Sequence, residues 1–139
     1  MPKVVATAEV INQGESYTSN VKINQHSLLV DEPVRQGGED LGPAPDDYLC
    51  AALASCKAIT LRMYIQRKKW KVEAIKVKVN LVLGKEMTSG NNTFYCQLQF
   101  TGDLDAEQEK RLLVIASSCP LHKLLSKPSD IINSVSHNQ

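Results

Sequence analysis

The sequence has almost no net charge and no long apolar run. Its 16 Lys and Arg residues against 15 Asp and Glu residues leave a formal charge of +1, so no global field attracts nucleic acid or an anionic membrane. No stretch approaches the roughly 20 consecutive apolar residues of a membrane-spanning helix, and the N-terminus lacks a basic head followed by an apolar signal region. These absences argue against nucleic acid and membrane partners and predict a cytoplasmic location.

Cysteine is also scarce. The four cysteines have neither the density nor the paired spacing of a secreted disulfide-bonded protein, and thiols in a reducing compartment are buried, metal-binding or reactive. The chain has 42% hydrophobic and 22% charged residues, which is a globular balance, and it contains no repeat, low-complexity tract or long linker. A chain of 139 residues is therefore predicted to form one domain, spanning residues 1–139.

Hydrophobic periodicity predicts an α+β fold with antiparallel sheets. Strand-like segments come first, and a long loop rich in Gly and Pro follows at residues 33–45. Pro45 then begins a predicted helix that runs to about residue 67, with apolar residues around most of its circumference. A domain of this size has few elements to cover such a helix, so burial against a second copy of the chain is expected.

The other predicted elements are shorter. Alternating apolar residues on both sides of a Ser-Gly-Asn-Asn turn predict a β-hairpin, and Asp105 and Gln108 have the spacing of a capping box at the start of a helix. Pro120 begins another short helix. Strands are expected at residues 4–10, 17–23, 27–30, 75–83, 94–100 and 131–135.

Cys56 lies in the middle of the predicted long helix. Apolar or small side chains at offsets of three, four and seven place it on a stripe with Leu49, Ala52, Ile59, Thr60 and Met63. A cysteine in such surroundings is usually a core residue. Cys50 faces about 120° away on the same helix, and Cys96 shares the apolar face of its strand, so both are interpreted as packing residues.

Cys119 differs because Pro120 follows it. With Pro120 at the first helical position, Cys119 falls near the N-cap, where free backbone N–H groups and the helix dipole favour a thiolate. A reactive thiol and a simple cap are both open readings. His122 completes a C-x-x-H pair, but two ligands make a poor tetrahedral zinc site, so no metal is predicted.

Two segments carry a resemblance to a known family. The segment GPAPDDYLCAALASC at residues 42–56 and the segment SCPLH at residues 118–122 resemble the OsmC/Ohr family of thiol-dependent organic hydroperoxide reductases. The resemblance implies an intertwined homodimer with antiparallel sheets around long central helices and active sites at the subunit interface. It also implies an antioxidant enzyme that has no prosthetic group, reduces organic hydroperoxides to alcohols, and is recycled by an external dithiol of lipoyl or thioredoxin type.

The resemblance also assigns residue roles. Cys56 matches the cysteine that attacks the peroxide, and Cys119 matches the resolving cysteine. Asp46 matches a position usually occupied by glutamate, and Arg35 resembles the arginine of the OsmC branch. Lys57 stands where many members have an aromatic or apolar residue, so the chain is expected to belong to a divergent branch.

A mechanism is expected from these residues. The Arg35 guanidinium would stabilise the thiolate and hydrogen-bond the peroxide oxygen, and Asp46 would orient it. Ten helical residues separate Asp46 from Cys56 by about 15 Å, so Asp46 and Arg35 are expected to reach Cys56 of the partner subunit. An apolar pocket would favour alkyl or lipid hydroperoxides over hydrogen peroxide, and its expected lining residues are Leu49, Ile59 and Met63.

A second function remains open at this point. A non-catalytic dimeric module could use the same scaffold and bind a small apolar ligand at the subunit interface. Such a module requires neither a thiolate nor a disulfide, whereas the reductase requires both. The behaviour of Cys56 and Cys119 towards a hydroperoxide therefore separates the two.

Overall fold

The structure, a computed structural model, describes residues 2–138 and has an α+β architecture. Strands β1 (Glu9–Ile11), β2 (Ser19–Ile23) and β3 (His26–Val30) form an antiparallel sheet in chain order. Strands β4 (Lys71–Val82) and β5 (Thr93–Asp103) form a separate long hairpin. The helices are α1 (Pro45–Lys68), α2 (Ala106–Ala116) and α3 (Pro120–Leu125), with short 3-10 turns at Val34–Gln36 and Gly84–Glu86. The predicted fold class, with antiparallel sheets and a long helix, is confirmed.

Helix α1 begins and ends where its sequence provides the terminal signals. Pro45 occupies the first turn, and the backbone N–H of Ala44 donates to the Asp47 carboxylate at 3.0 Å. Asp46 and Asp47 complement the positive end of the helix dipole. The last helical residue is Lys68, and Lys69 after it caps the helix in a left-handed conformation with φ of 60°. Its 24 residues run unbroken for about 36 Å, and its predicted end differs by one residue.

The hydrophobic core lies where the C-terminal half of α1 meets the β4–β5 hairpin and α2. Its buried residues are Leu61, Tyr64, Ile65, Val72, Leu112 and Ala116. Trp70 packs edge-on against Tyr64, with ring centroids 5.5 Å apart. The predicted capping box forms at the start of α2, where the backbone N–H of Gln108 donates to the Asp105 carboxylate at 2.8 Å. It fixes the position at which α2 begins after the hairpin.

One apolar face of α1 is exposed in the single chain. Ile59 and Met63 are 61% and 64% exposed, and Leu49 is 40% exposed. By length and composition alone α1 is long and apolar enough to cross a membrane, a test that the core helices of soluble proteins also pass. The elements that pack on α1 are β4, α2 and α3. No element of the same chain therefore covers this face of α1 in the part that the structure describes, and the homodimer stays a prediction.

Three local predictions differ from the structure. The final strand predicted at residues 131–135 is wrong, because this segment has no regular structure and its Ile131, Ile132 and Val135 side chains are almost fully exposed. β-Branched residues favour a strand only where a neighbouring edge pairs with them. The first strand is confined to β1, so residues 4–8 lie outside it, and the predicted loop at 33–45 contains a 3-10 turn.

Asp31 organises the loop that follows β3. Its buried carboxylate accepts hydrogen bonds from the Thr18 hydroxyl at 2.8 Å and from the backbone N–H groups of Glu32, Glu39 and Leu41. Burial raises the pKa of Asp31, but these four hydrogen bonds outweigh it and hold the pKa below its usual value. The loop passes so closely that a Cβ at Gly38 would lie 1.9 Å from the carbonyl oxygen of Glu32.

We expect Asp31→Asn to lower the denaturant midpoint at neutral pH, because an amide cannot accept all four donors. The folded-state pKa is depressed, so the carboxylate contributes stability above the unfolded-state pKa and loses it as the pH falls through the folded-state value. The difference between variant and wild type should therefore shrink towards low pH in urea denaturation. The exposed neighbour Asp40→Asn is the control. Equal midpoints for Asp31→Asn and wild type at pH 7 would contradict this account.

Candidate functional site

Two cysteines that are far apart in sequence meet in the structure. Cys56 lies in the middle of α1, and Cys119 lies at the start of α3. The Cys56 thiol lies close enough to Cys119 to raise its pKa, and both cysteines are free thiols. Cys119 is fully buried, whereas Cys56 is half-buried. A small molecule from solvent therefore meets Cys56 first.

Cys119 is the N-cap residue of α3, as its place before Pro120 predicts. Its backbone is extended, with φ of −66° and ψ of 144°, and the backbone N–H of His122 donates to its sulfur at 3.3 Å. Burial and the neighbouring Cys56 thiol together raise the pKa of the Cys119 thiol by more than this N–H and the positive charge of Lys57 lower it. The cap favours a thiolate as expected, but in the resting protein burial and Cys56 outweigh it.

Lys57 places a buried positive charge beside these thiols. Its side chain is only 2% exposed, and its ammonium nitrogen donates to the carbonyl oxygen of Ala116 at 2.8 Å. Ala116 is the last residue of α2, where carbonyl groups lack helical partners and the helix dipole is negative. Sequence reasoning noted Lys57 only as a departure from the family pattern. The usable signal was a single lysine inside a helix segment rich in Ala and Leu.

His122 is the second partner of Lys57. Its Nδ1 lies 2.8 Å from the Lys57 nitrogen. Burial lowers the pKa of His122, and the positive charge of Lys57 lowers it further, so the imidazole is neutral at neutral pH. An ammonium group is only a donor, so Nδ1 accepts and the ring proton resides on Nε2. Lys57, His122 and the two thiols together form what we call the thiol cluster.

A cavity of about 340 Å³ borders the thiol cluster between α1, β5 and α3. Leu53, Phe94, Cys96, His122 and Leu125 line one part of it, and the rest of its lining is polar, formed by Ser89, Asn91, Asn92, Thr93 and Ser126. A cleft of about 640 Å³ next to it shares Phe94 and Leu125 and extends to Leu49. Cavities of roughly 300–1,000 Å³ hold small organic ligands. The surface near the thiols therefore has room for one.

The remaining cysteines lie beside this site or apart from it. Burial raises the pKa of Cys96, and the positive charge of Lys57 lowers it in part. Burial and the nearby Asp47 and Asp46 carboxylates raise the pKa of Cys50. Both are half-buried, as expected for packing residues. Among residues 2–138, no three His, Cys, Asp or Glu side chains are arranged to hold a metal ion.

Arg35 and Asp46 lie outside the thiol cluster of their own chain. Arg35 is exposed in the first 3-10 turn, and Asp46 is exposed in the first turn of α1. Because α1 is unbroken, Asp46 lies about 15 Å along the helix axis from its own Cys56. Their action across a dimer stays a prediction. In the single chain, the cation beside the thiols is Lys57.

The predicted substrate residues also separate. Leu49 borders the 640 Å³ cleft, whereas Ile59 and Met63 line a shallow surface groove of about 330 Å³ together with Ile75. One chain therefore does not assemble these three side chains into one pocket. The helical spacing places Ile59 and Met63 on neighbouring turns and Leu49 almost three turns away, and only surrounding elements decide whether a pocket closes over them.

Comparison with known proteins identifies the family. The model of the family described as OsmC-like protein matches residues 37–133. An OsmC-like protein from Mycoplasma pneumoniae is 17% identical, with a TM-score of 0.71 and coverage of 91% of this chain and 89% of that one. The organic hydroperoxide resistance protein OsmC from Legionella pneumophila is 17% identical, with a TM-score of 0.63 and coverage of 90% and 91%. The Bacillus subtilis organic hydroperoxide resistance protein OhrB is 18% identical, with a TM-score of 0.59 and coverage of 87% and 90%.

The solved structures and the family model support different conclusions about this chain. The solved structures are too distant in sequence to show more than a shared fold, and no curated protein sequence matches. The family model is stronger, because it spans well over half of the chain and includes both Cys56 and Cys119. The predicted family is confirmed: this chain belongs to the OsmC-like family.

Proposed function

We propose that the protein is a cysteine-based peroxidase that reduces organic hydroperoxides to alcohols. The observation that carries this proposal is that the Cys56 thiol lies close enough to Cys119 to influence its pKa. Structural relatives described as organic hydroperoxide resistance proteins support the substrate class. The exposed apolar face of α1 supports an apolar alkyl or lipid substrate.

Two steps account for the chemistry. The Cys56 thiolate attacks the O–O bond of the hydroperoxide, which gives a Cys56 sulfenic acid and releases an alcohol. The Cys119 thiol then attacks the sulfenic sulfur, so that an S–S bond forms and water leaves. An external dithiol of lipoyl or thioredoxin type reduces the disulfide and restores both thiols.

Exposure supports this order of attack. Cys56 is half-buried, whereas Cys119 is fully enclosed and close enough to Cys56 for its pKa to be affected. A hydroperoxide therefore reaches Cys56 more readily, and Cys119 reacts within the molecule. Neighbouring thiols form a disulfide where their Cα atoms lie within about 7 Å of each other.

A homodimer completes the proposed site. The exposed apolar face of α1 would meet a second copy of the chain, which removes Ile59 and Met63 from water. Arg35 and Asp46 of that copy would then approach Cys56, where a guanidinium stabilises the thiolate and the developing alkoxide.

Intact mass spectrometry after one equivalent of an alkyl hydroperoxide tests the proposal. We expect wild type to lose two hydrogens as Cys56 and Cys119 join, and Cys119→Ser to gain one oxygen and stop at the sulfenic acid. Cys56→Ser should keep its mass. Cys50→Ser is the matched control on the same helix and should behave as wild type.

The opposite outcome supports the other function. If the wild-type mass stays unchanged and no hydroperoxide is consumed, the proposed chemistry is wrong, and a dimeric module that binds an apolar ligand accounts for the fold.

A further inference from the structure

Lys57 is a buried charged residue that the proposed mechanism does not use. Its ammonium group lies between α1, the C-terminal end of α2 and the first turn of α3. Burying a lysine is costly unless its charge and hydrogen bonds are compensated, and lysine is among the residues least often fully buried. A lysine that is only 2% exposed near the two thiols is therefore expected to have a specific function there.

Several groups face Lys57. The Ala116 carbonyl comes from the end of α2, Cys119 and His122 come from α3, and Cys96 comes from β5, while Cys56 is its neighbour in sequence on α1. Its two hydrogen-bond partners are a carbonyl oxygen and a neutral imidazole, so these bonds hold the ammonium group without cancelling its charge. They use two of its three N–H donors.

The two bonds also fix the segment that carries the resolving thiol. Ala116 ends α2, and His122 lies in the first turn of α3, so Lys57 holds both sides of the junction that contains Cys119. One side chain thus holds this junction and also places a positive charge near Cys119. Arg35, by contrast, lies exposed in its loop.

We propose that Lys57 is a positioning residue for the resolving step: it holds the junction between α2 and α3 and stabilises the Cys119 thiolate as that thiolate attacks the Cys56 sulfenic acid. This inference rests on the proposed peroxidase function. In the step, Cys119 loses its proton and an S–S bond forms. The hydroxide that leaves Cys56 combines with that proton as water, so the hydroperoxide remains the only oxidant. Burial raises the pKa of Cys119, and Lys57 opposes that effect.

Lys57→Met removes the charge and keeps an unbranched side chain. With one equivalent of alkyl hydroperoxide, we expect the Cys56 sulfenic acid to form and the disulfide to form about tenfold more slowly at neutral pH, because less Cys119 is ionised. The deficit should shrink as the pH rises, since Cys119 then ionises without help. Rapid quenching and mass spectrometry measure this step from pH 6 to pH 9.

Two further variants sharpen the test. Lys57→Gln keeps a donor for the Ala116 carbonyl without the charge and should show the same shifted pH profile. It provides the test if Lys57→Met does not fold. Lys123→Met removes an exposed charge from α3 and should match wild type. A rate loss that is equal at every pH would overturn the proposed charge effect, and so would a wild-type profile in both Lys57 variants.

A second measurement needs no peroxide. In reduced protein with ¹³C-labelled cysteine, the Cys119 Cβ signal should titrate at a higher pH in Lys57→Met than in wild type. An unchanged titration would overturn the inference. If wild-type Cys56 failed to form a sulfenic acid while the Cys119 titration still shifted, the peroxidase proposal and its resolving step would be wrong, whereas the effect of Lys57 on the Cys119 thiol would stand.

Discussion

Cys56→Ser is expected to reduce catalytic turnover of an alkyl hydroperoxide to the rate measured without protein. A serine hydroxyl does not ionise near neutral pH and forms no sulfenic acid, so neither chemical step can begin. Because nucleophile removal eliminates the covalent intermediate, the effect should far exceed that of any change in the surrounding side chains. Hydroperoxide consumption in the presence of excess dithiol measures it.

The Cys119→Ser variant separates the two steps. It should consume one equivalent of hydroperoxide and then turn over slowly, because the sulfenic acid at Cys56 has no resolving thiol within reach. Cys50→Ser serves as the control, since Cys50 is half-buried on the same helix but outside the thiol cluster. Wild-type turnover by Cys56→Ser would remove Cys56 from the mechanism.

Leu112→Ala is expected to destabilise the fold by about 2–5 kcal/mol. Leu112 is fully buried on α2 and belongs to the core cluster with Leu61 and Ile65. Truncation removes buried apolar surface and leaves a cavity that rigid neighbours fill only in part. Because a domain of this kind is stable by about 5–15 kcal/mol in total, the loss is a large fraction.

Urea denaturation at one fixed protein concentration measures this change, since association of copies would make stability depend on concentration. Leu113→Ala provides the matched control. Leu113 is next to Leu112 on the same helix but is 64% exposed, so its truncation should change stability by no more than about 0.5 kcal/mol. Equal losses for the two variants would mean that the core does not lie where α1, α2 and the hairpin meet.

Strong local signals made part of the fold predictable. Pro45 at the first turn and the uninterrupted helix formers after it identify α1, and the Asp105–Gln108 capping box identifies the start of α2. The strand predicted at residues 131–135 was wrong because its signal was propensity alone. Ile131 and Ile132 have high strand propensity, but propensity is local, and no strand pairing forms there.

The candidate site was predictable to a similar degree. The motifs around Cys56 and Cys119 indicated the family and paired the two cysteines, and the structure brings the Cys56 thiol close enough to Cys119 to influence its pKa. Lys57 was noted only as unusual. A lysine in a helix is normally solvated, and nothing in the neighbouring sequence shows that this one is covered by the junction between α2 and α3.

The sequence alone determined the helix ends, the cap at Cys119 and the family, because each depends on residues within a few positions of one another or on short motifs. Tertiary structure alone decided that Lys57 is buried against Ala116 and His122, and that Ile59 and Met63 are left exposed. Those outcomes depend on which distant elements pack together, and a repeating pattern along one helix carries no information about what covers each of its faces.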